Sequence, residues 1–149
     1  MTKEQRSLFY KAAGKGDLDL MRSLISHGAD VNVKNSYNFS ILMYVSHEGA
    51  LAPTKCLVDN GVNVNAKDND GMSALSYAAR NNKIEIVRFL LDHGADVNAV
   101  ARDGYNAFMH ASEHGHSDVV SVLLEHGTDT QKSCFGYSFA NIIKKGKGE

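Results

Sequence analysis

A five-residue phrase recurs along the 149-residue chain at one fixed spacing, and this spacing constrains the fold more than any other feature. The phrase reads Gly-Ala-Asp-Val-Asn at 28–32 and 94–98, Gly-Val-Asn-Val-Asn at 61–65, and a degraded Gly-Thr-Asp-Thr-Gln at 127–131. The distance from one copy to the next is the same each time. A period without insertions predicts one small structural unit that is copied and stacked.

Apolar columns in the same register predict two short helices in each unit. A leucine stands four residues before each glycine of the phrase, and a second column of small or apolar residues lies 16 residues before it. Residues three positions before the second column are also apolar, which is the spacing of one helix face. The two columns are Leu24, Leu57, Leu90 and Leu123, and Ala12, Val45, Ala78 and Ala111. We expect the leucine column to be buried throughout.

The third unit shows the pattern most completely. It reads DGMSALSYAA at 70–79, IEIVRFLL at 84–91 and GADVNA at 94–99. This arrangement resembles the ankyrin repeat family, whose unit of about 33 residues is a β-turn followed by two helices. The resemblance implies an all-α ankyrin-repeat solenoid of stacked helix-turn-helix units with β-turn or hairpin tips.

The resemblance covers roughly residues 1–146 and predicts one ankyrin-repeat domain over 1–149. Thr2 and Gln5 have the spacing of a capping box, which would start the first helix. The last segment would form a half-repeat cap, with one helix over Tyr137–Lys145. The expected repeats span about 1–33, 34–66, 67–99 and 100–131, followed by the cap at about 132–146.

Two departures from the family pattern predict a less regular stack. In the family, a Pro and a His near the start of the first helix cap it and tie neighbouring repeats together, and no repeat here keeps both. Repeat 2 departs furthest, because Pro53 and Thr54 stand where repeat 4 has Val119 and Val120. We expect Pro53 to lie in the first turn of its helix, where a missing N–H is tolerated. We also expect repeat 2 to be the least stable internal repeat.

Charge and composition argue against nucleic acid and membrane as partners. The formal net charge is −1, which gives no electrostatic drive toward an anionic polymer or lipid. No apolar run reaches the length of about 18 residues that a membrane span needs, and the polar start lacks the apolar stretch of a signal peptide. Cys56 and Cys134 fall at different repeat positions and are expected to stay reduced. These features predict a cytoplasmic or nuclear protein.

The seven histidines are the strongest candidates for chemistry, and they do not form a site. His27, His93 and His126 occupy one repeat position, so stacking separates them by about 10 Å or more, too far to share a metal ion. His110 and His114 have a metal-ligand spacing of four residues, yet no Glu-x-x-His or Cys-x-x-Cys motif completes it. The sequence predicts no enzyme, no catalytic residues, no metal and no cofactor.

The resemblance implies contact with a protein partner through the turn tips and the first helices. Phe39, Met72 and Tyr105 fall in one column of tip positions, where we expect them to face solvent, and such residue types are enriched in interface cores. The predicted function is a monomeric protein-interaction module that acts as an adaptor or as an inhibitor by occlusion. The predicted contact residues are Tyr37, Phe39, Met72, Arg80, Asn81, Arg102, Tyr105, Glu113 and His114.

Two alternatives stay open at this point. The tip aromatics could pack on neighbouring turns, for Phe39 in particular, which would leave a structural scaffold that binds nothing on its concave face. Asn98 follows Asp96 and Val97 in a context similar to the one that asparaginyl hydroxylases modify in ankyrin repeats, so the chain could instead be a hydroxylase substrate. Asn32 and Asn65 recur at the same position, where Asn also has a structural role in closing the turn.

Overall fold

The computed structural model describes residues 1–128, which form four consecutive helix pairs. The first helices of the pairs, α1, α3, α5 and α7, pack side by side in an inner layer, and the second helices form an outer layer. This arrangement confirms the predicted all-α repeat solenoid. The helices are α1 (Lys3–Lys15), α2 (Leu18–Ser26), α3 (Ile41–Glu48), α4 (Leu51–Asp59), α5 (Ala74–Arg80), α6 (Ile84–Asp92), α7 (Ala107–Glu113) and α8 (Ser117–Glu125).

Polar side chains begin the inner helices. The side chains of Ser40, Ser73 and Asn106, which occupy the same position in successive repeats, accept hydrogen bonds from the backbone N–H three residues later at 2.9–3.2 Å. These bonds satisfy amides that the first turn of a helix leaves free. The predicted capping box of Thr2 and Gln5 is confirmed. It starts α1 earlier in the repeat than the other inner helices.

The core is a continuous strip between the two layers. Phe9, Leu42, Leu75 and Phe108 are fully buried from the inner layer, as are Leu57, Leu90 and Leu123 from the outer layer. Leu24 is only partly buried, so the expectation of a uniformly buried leucine column is wrong at this position. In residues 1–128 the outer helix that packs against α2 is α4, whereas α4 and α6 each pack between two outer helices.

A row of three short hairpins, here called fingers, precedes the last three inner helices. The first finger spans 34–40, the second spans 67–73 and the third spans 101–105, and they are called finger 1, finger 2 and finger 3. The Asn69 N–H donates to the Tyr37 carbonyl at 3.0 Å, and the Arg102 N–H donates to the Asp70 carbonyl at 3.0 Å. One backbone hydrogen bond therefore joins each finger to the next.

The close approach of fingers 2 and 3 requires a glycine. Gly71 has a φ of 76°, in the left-handed region, and a Cβ there would lie 3.1 Å from the backbone nitrogen of Arg102. A larger residue would be strained and would also press on finger 3. Asn38 takes the equivalent left-handed position in finger 1.

Side chains also tie neighbouring repeats together, despite the missing family His. The Tyr10 hydroxyl stands in place of that His and donates to the Phe39 carbonyl at 2.8 Å. His116 Nε2 lies 2.8 Å from the Arg80 carbonyl, and Asn65 Oδ1 accepts from the Asp96 N–H at 2.7 Å. The ties that we expected to be lost are thus partly made by other residues.

The outer helix of repeat 2 differs from that of repeat 3 at two buried positions. Pro53 lies in the first turn of α4, as predicted. Pro53 and Thr54 are buried at the positions where Ile86 and Val87 are buried in α6. The Thr54 hydroxyl donates to the Ala50 carbonyl at 2.8 Å, so its polar atom is satisfied, although the site buries less apolar surface.

We expect amide hydrogen exchange to be fastest in α4 among the helices of repeats 2, 3 and 4. The reason is that repeat proteins open locally where the packing between neighbouring repeats is weakest. Mass spectrometry of exchanged peptides from α4 and α6 measures the difference. Equal protection of these two helices would contradict the prediction.

Several predictions fall outside the described residues. These are the cap helix over Tyr137–Lys145 and the position of Cys134. The repeat boundaries and the extent of the domain also stay predictions. Cys56 lies inside the described part, where it is buried with a free thiol. None of the helices in residues 1–128 is long and apolar enough to cross a membrane.

Candidate protein-binding surface

Tyr37, at the tip of finger 1, is the most exposed large apolar side chain in residues 1–128. Its side chain is 70% exposed. Its backbone is fixed, because its N–H donates to Asn35 Oδ1 at 2.9 Å and its carbonyl accepts from Asn69. The finger therefore holds an aromatic ring in solvent on an ordered support.

The column of Phe39, Met72 and Tyr105 does not face solvent as expected. Met72 is only 5% exposed, so the expectation is wrong for this residue. It lines a small cavity together with Ala101 and Arg102 of finger 3. The Phe39 ring packs edge-on against Tyr77 at 5.4 Å, and the Tyr105 ring lies 5.0 Å from the His110 ring, both partly buried.

Arg80 is held in place on α5 by an aromatic neighbour. Its guanidinium carbon lies 5.2 Å from the centre of the Tyr77 ring. The Tyr77 hydroxyl donates to the Asp68 carboxylate. Burial, and then this hydrogen bond, raise the pKa of Tyr77 above its ordinary value, so the hydroxyl stays protonated. Arg80 is thus an ordered cation beside the fingers.

A cavity of about 250 Å³ lies between fingers 2 and 3, and its charges are balanced. Arg80 and Arg102 line it together with Asp70 and Asp103. Arg102, one of the predicted contact residues, is exposed. The two arginines can donate hydrogen bonds to a partner, and the two aspartates can accept hydrogen bonds from it.

His110 lines the same cavity and is a structural residue. It is 6% exposed, and its Nε2 has no hydrogen-bond partner. Burial lowers its pKa to about 4; Asp103 has a smaller effect that raises the pKa, and Arg80 a smaller effect that lowers it further. His110 is therefore neutral at physiological pH. The four-residue spacing between His110 and His114 does not indicate that His110 is buried.

The remaining predicted contact residues lie at the ends of α5 and α7. Asn81 caps the C-terminus of α5, is partly buried, and has an Nδ2 that is inaccessible and without a partner. His114 caps the C-terminus of α7, and its Nδ1 lies 2.9 Å from the His110 carbonyl. Glu113 is partly buried beside it. The structure places these residues on the inner layer, and their binding role stays a prediction.

The repeated histidines have a structural explanation that the sequence did not reveal. The ring Nδ1 of His27, His93 and His126 lies 2.7–2.8 Å from the carbonyl four residues earlier, at the ends of α2, α6 and α8. Because a carbonyl only accepts, each Nδ1 carries the proton. Asn60 makes the same bond in α4 with its Nδ2. Residues 1–128 contain no group of three or more His, Cys, Asp or Glu placed to hold a metal ion.

A second, larger cavity was not anticipated from the sequence. A groove of about 700 Å³ runs between α1 and finger 1. Lys3, Arg6 and Lys11 line one side from α1, and Lys34 lines the other from finger 1. The sequence indicates that α1 carries several cations. It does not indicate that finger 1 places Lys34 close to them, because that depends on how finger 1 packs against α1.

Helix pairs stacked in two layers, with a row of linked fingers along one side, define a repeat solenoid. The family model for ankyrin repeats, in three copies, matches residues 8–101 and, in an overlapping match, residues 42–134. The chain therefore belongs to the ankyrin repeat family. Proteins of this family are generally protein–protein interaction modules and are typically not enzymes. No curated protein matches the chain in sequence.

Proposed function

We propose that the protein binds a protein partner along its fingers and inner helices, as an adaptor or as an inhibitor that occludes the partner's surface. In this proposal it acts as a monomer in the cytoplasm or nucleus, where Cys56 stays reduced. The exposed ring of Tyr37 on an ordered finger carries the proposal.

Tyr37 has the properties of an interface anchor. A tyrosine offers a large amphipathic surface with few rotatable bonds, so its immobilisation on binding costs little entropy. Because hydrogen bonds to Asn35 and Asn69 already order its backbone, the finger needs no rearrangement before contact. Burial of a 70% exposed ring would yield a large gain in apolar contact.

The surface between fingers 2 and 3 supports the same proposal. Arg102 is exposed at a tip and Arg80 is ordered against Tyr77. Arginine is enriched in interface cores, because its planar group forms several hydrogen bonds at once. Asp70 and Asp103 beside them supply acceptors for a partner's donors. An aromatic anchor with a mixed polar rim is a common composition for an interface.

We expect Tyr37→Ala to weaken partner binding by about 1–3 kcal/mol, or roughly 5- to 150-fold, with little change in the melting temperature. The reason is that the ring contacts solvent and not the core. Affinity purification from native lysate with the wild-type chain and the variant identifies the partner, and calorimetry then measures the affinities. Tyr105→Ala should instead melt earlier, since its ring packs against the core.

Glu125→Ala, an exposed position in the outer layer, is the matched control and should change neither binding nor melting. A partner that binds the Tyr37→Ala variant as tightly as the wild type would contradict the proposed surface. That result would favour the scaffold alternative, in which the partner covers another face.

The hydroxylase alternative stays a prediction. Asn98 lies one repeat after Asn65, and both belong to the turn that follows an outer helix. Its backbone N–H donates to Asp96 Oδ1 at 2.9 Å, a local turn bond. Co-expression with an asparaginyl hydroxylase, followed by intact-mass measurement, would show a gain of one oxygen atom if Asn98 is a substrate.

A further inference from the structure

The groove between α1 and finger 1 concentrates positive charge on two opposing walls. Lys3, Arg6 and Lys11 stand on α1, and Lys34 stands on finger 1. The space between these walls is about 700 Å³, which can hold several side chains of a bound segment. Serine hydroxyls from both walls, Ser7 and Ser36, add hydrogen-bonding groups. The groove therefore has several cations along its lining, and Ser36, the neighbour of the exposed Tyr37, also lines it.

None of these four cations forms an ion pair within the described part of the chain, although Glu4 lines an adjoining cavity with Lys3 and Lys11. The close contacts between basic and acidic side chains in residues 1–128 join Arg22 to Asp19, His47 to Glu48 and His126 to Asp92, and none of these residues lines the groove. No acidic side chain from this part of the chain lines the groove itself. Like charges that face one another across a cavity repel, so an anionic ligand would stabilise this arrangement.

Tyr10 lines the groove without adding negative charge. Burial raises its pKa to about 12, with a smaller opposing effect from Arg6, so the hydroxyl stays protonated. That hydroxyl donates to the Phe39 carbonyl and fixes finger 1 relative to α1. The two cationic walls are thus held at a set separation before any ligand binds.

We infer that this groove binds an acidic, extended segment of the partner protein, with Asp or Glu carboxylates paired to Arg6 and Lys34 from opposite walls. The inference rests on the proposed function and names the chemistry of the partner. Arg6 can bind a carboxylate through two parallel hydrogen bonds, and Lys34 supplies a point charge across the groove.

The change of charge along the stack favours a polypeptide over a nucleic acid. Beyond the groove, the cavity between fingers 2 and 3 presents Asp70 and Asp103 beside its two arginines. A uniform polyanion gains nothing from that balanced cavity, whereas a protein segment can change its own charge along its length. A flat membrane surface is also a poor match, because the cations line the walls of a channel.

The test uses a short fluorescein-labelled peptide of alternating Glu and Ser, with the Gln–Ser peptide of the same length as its control. Fluorescence anisotropy at low ionic strength should show binding of the Glu peptide only, and added salt should weaken it. The double variant Arg6→Gln/Lys34→Gln should bind roughly 2- to 30-fold more weakly, as expected for loss of two exposed charge pairs.

The double variant Arg22→Gln/Arg88→Gln removes the same charge from exposed positions of the outer layer and should bind like the wild type. Melting curves of both double variants show whether each is folded. Absence of Glu-peptide binding, or equal weakening in the two double variants, would overturn the inference. Tighter binding of oligothymidylate or phosphatidylserine vesicles than of the peptide, lost in the groove variant, would overturn it in favour of nucleic acid or membrane.

Affinity measurements with the partner obtained by affinity purification test this inference and the proposed function separately. If Tyr37→Ala weakens partner binding and the groove variant does not, the inference fails and the proposed function stands. If both variants weaken binding, both are supported. If neither does, the partner binds elsewhere and the proposed function fails together with the inference.

Discussion

Replacement of Leu90 by alanine is expected to lower the free energy of unfolding by about 2–5 kcal/mol. Leu90 is 0% exposed in the core strip, and its helix α6 packs between α4 and α8. The truncation removes buried apolar atoms and leaves a cavity that repeats on both sides would have to fill. Urea denaturation followed by circular dichroism measures the change.

Leu124→Ala is the matched control for Leu90→Ala. Leu124 lies in the outer helix α8 and is 43% exposed, so its truncation should cost well under about 1 kcal/mol. Leu24→Ala should fall between the two, since Leu24 is partly buried at the first repeat. A loss below about 1 kcal/mol for Leu90→Ala would count against the repeat register.

Lowering the pH from 6.5 to 4 should remove about 3 kcal/mol of stability through His110 alone. In the folded state burial lowers the pKa of His110 to about 4, whereas the ordinary value is 6.5. Between these values the unfolded chain binds a proton that the folded chain does not, so the free energy of unfolding falls as the pH falls. Above pH 6.5 this contribution is fully present.

The His110→Gln variant isolates this effect, because Gln does not titrate. Urea denaturation across this pH window should show a shallower pH dependence for the variant than for the wild type. The other histidines and the carboxylates are unchanged between the two proteins, so their contributions cancel. Parallel pH profiles would show that His110 does not govern acid sensitivity.

The fold could be predicted because the repeat imposes the same local chemistry several times. The caps at Ser40, Ser73 and Asn106 recur at one position of successive repeats, and the buried leucines Leu57, Leu90 and Leu123 recur at another. Because the same pattern occurs in several repeats, the prediction of the fold does not depend on any single position. The partial burial of Leu24 is an exception, because its helix α2 packs against one outer helix in residues 1–128, whereas the helices of Leu57 and Leu90 each pack between two.

The binding surface was less predictable, because it depends on how fingers lie against one another. Tyr37 and Met72 both belong to finger tips, yet the tyrosine is exposed while the methionine is buried and lines a cavity with residues of finger 3. The contact between Phe39 and Tyr77 likewise joins residues far apart in sequence. The groove between α1 and finger 1 brings Arg6 to the same cavity as Lys34, which periodicity alone does not show.

The hydrogen-bonded row of fingers has a consequence for how such a chain can change in length. One N–H to carbonyl bond crosses from finger 1 to finger 2, and one from finger 2 to finger 3. A single inserted residue within a finger would shift these groups out of alignment, whereas duplication of a whole repeat would add one finger and one helix pair in the same alignment. The recognition surface can therefore lengthen by complete units, and intermediate lengths would break the row.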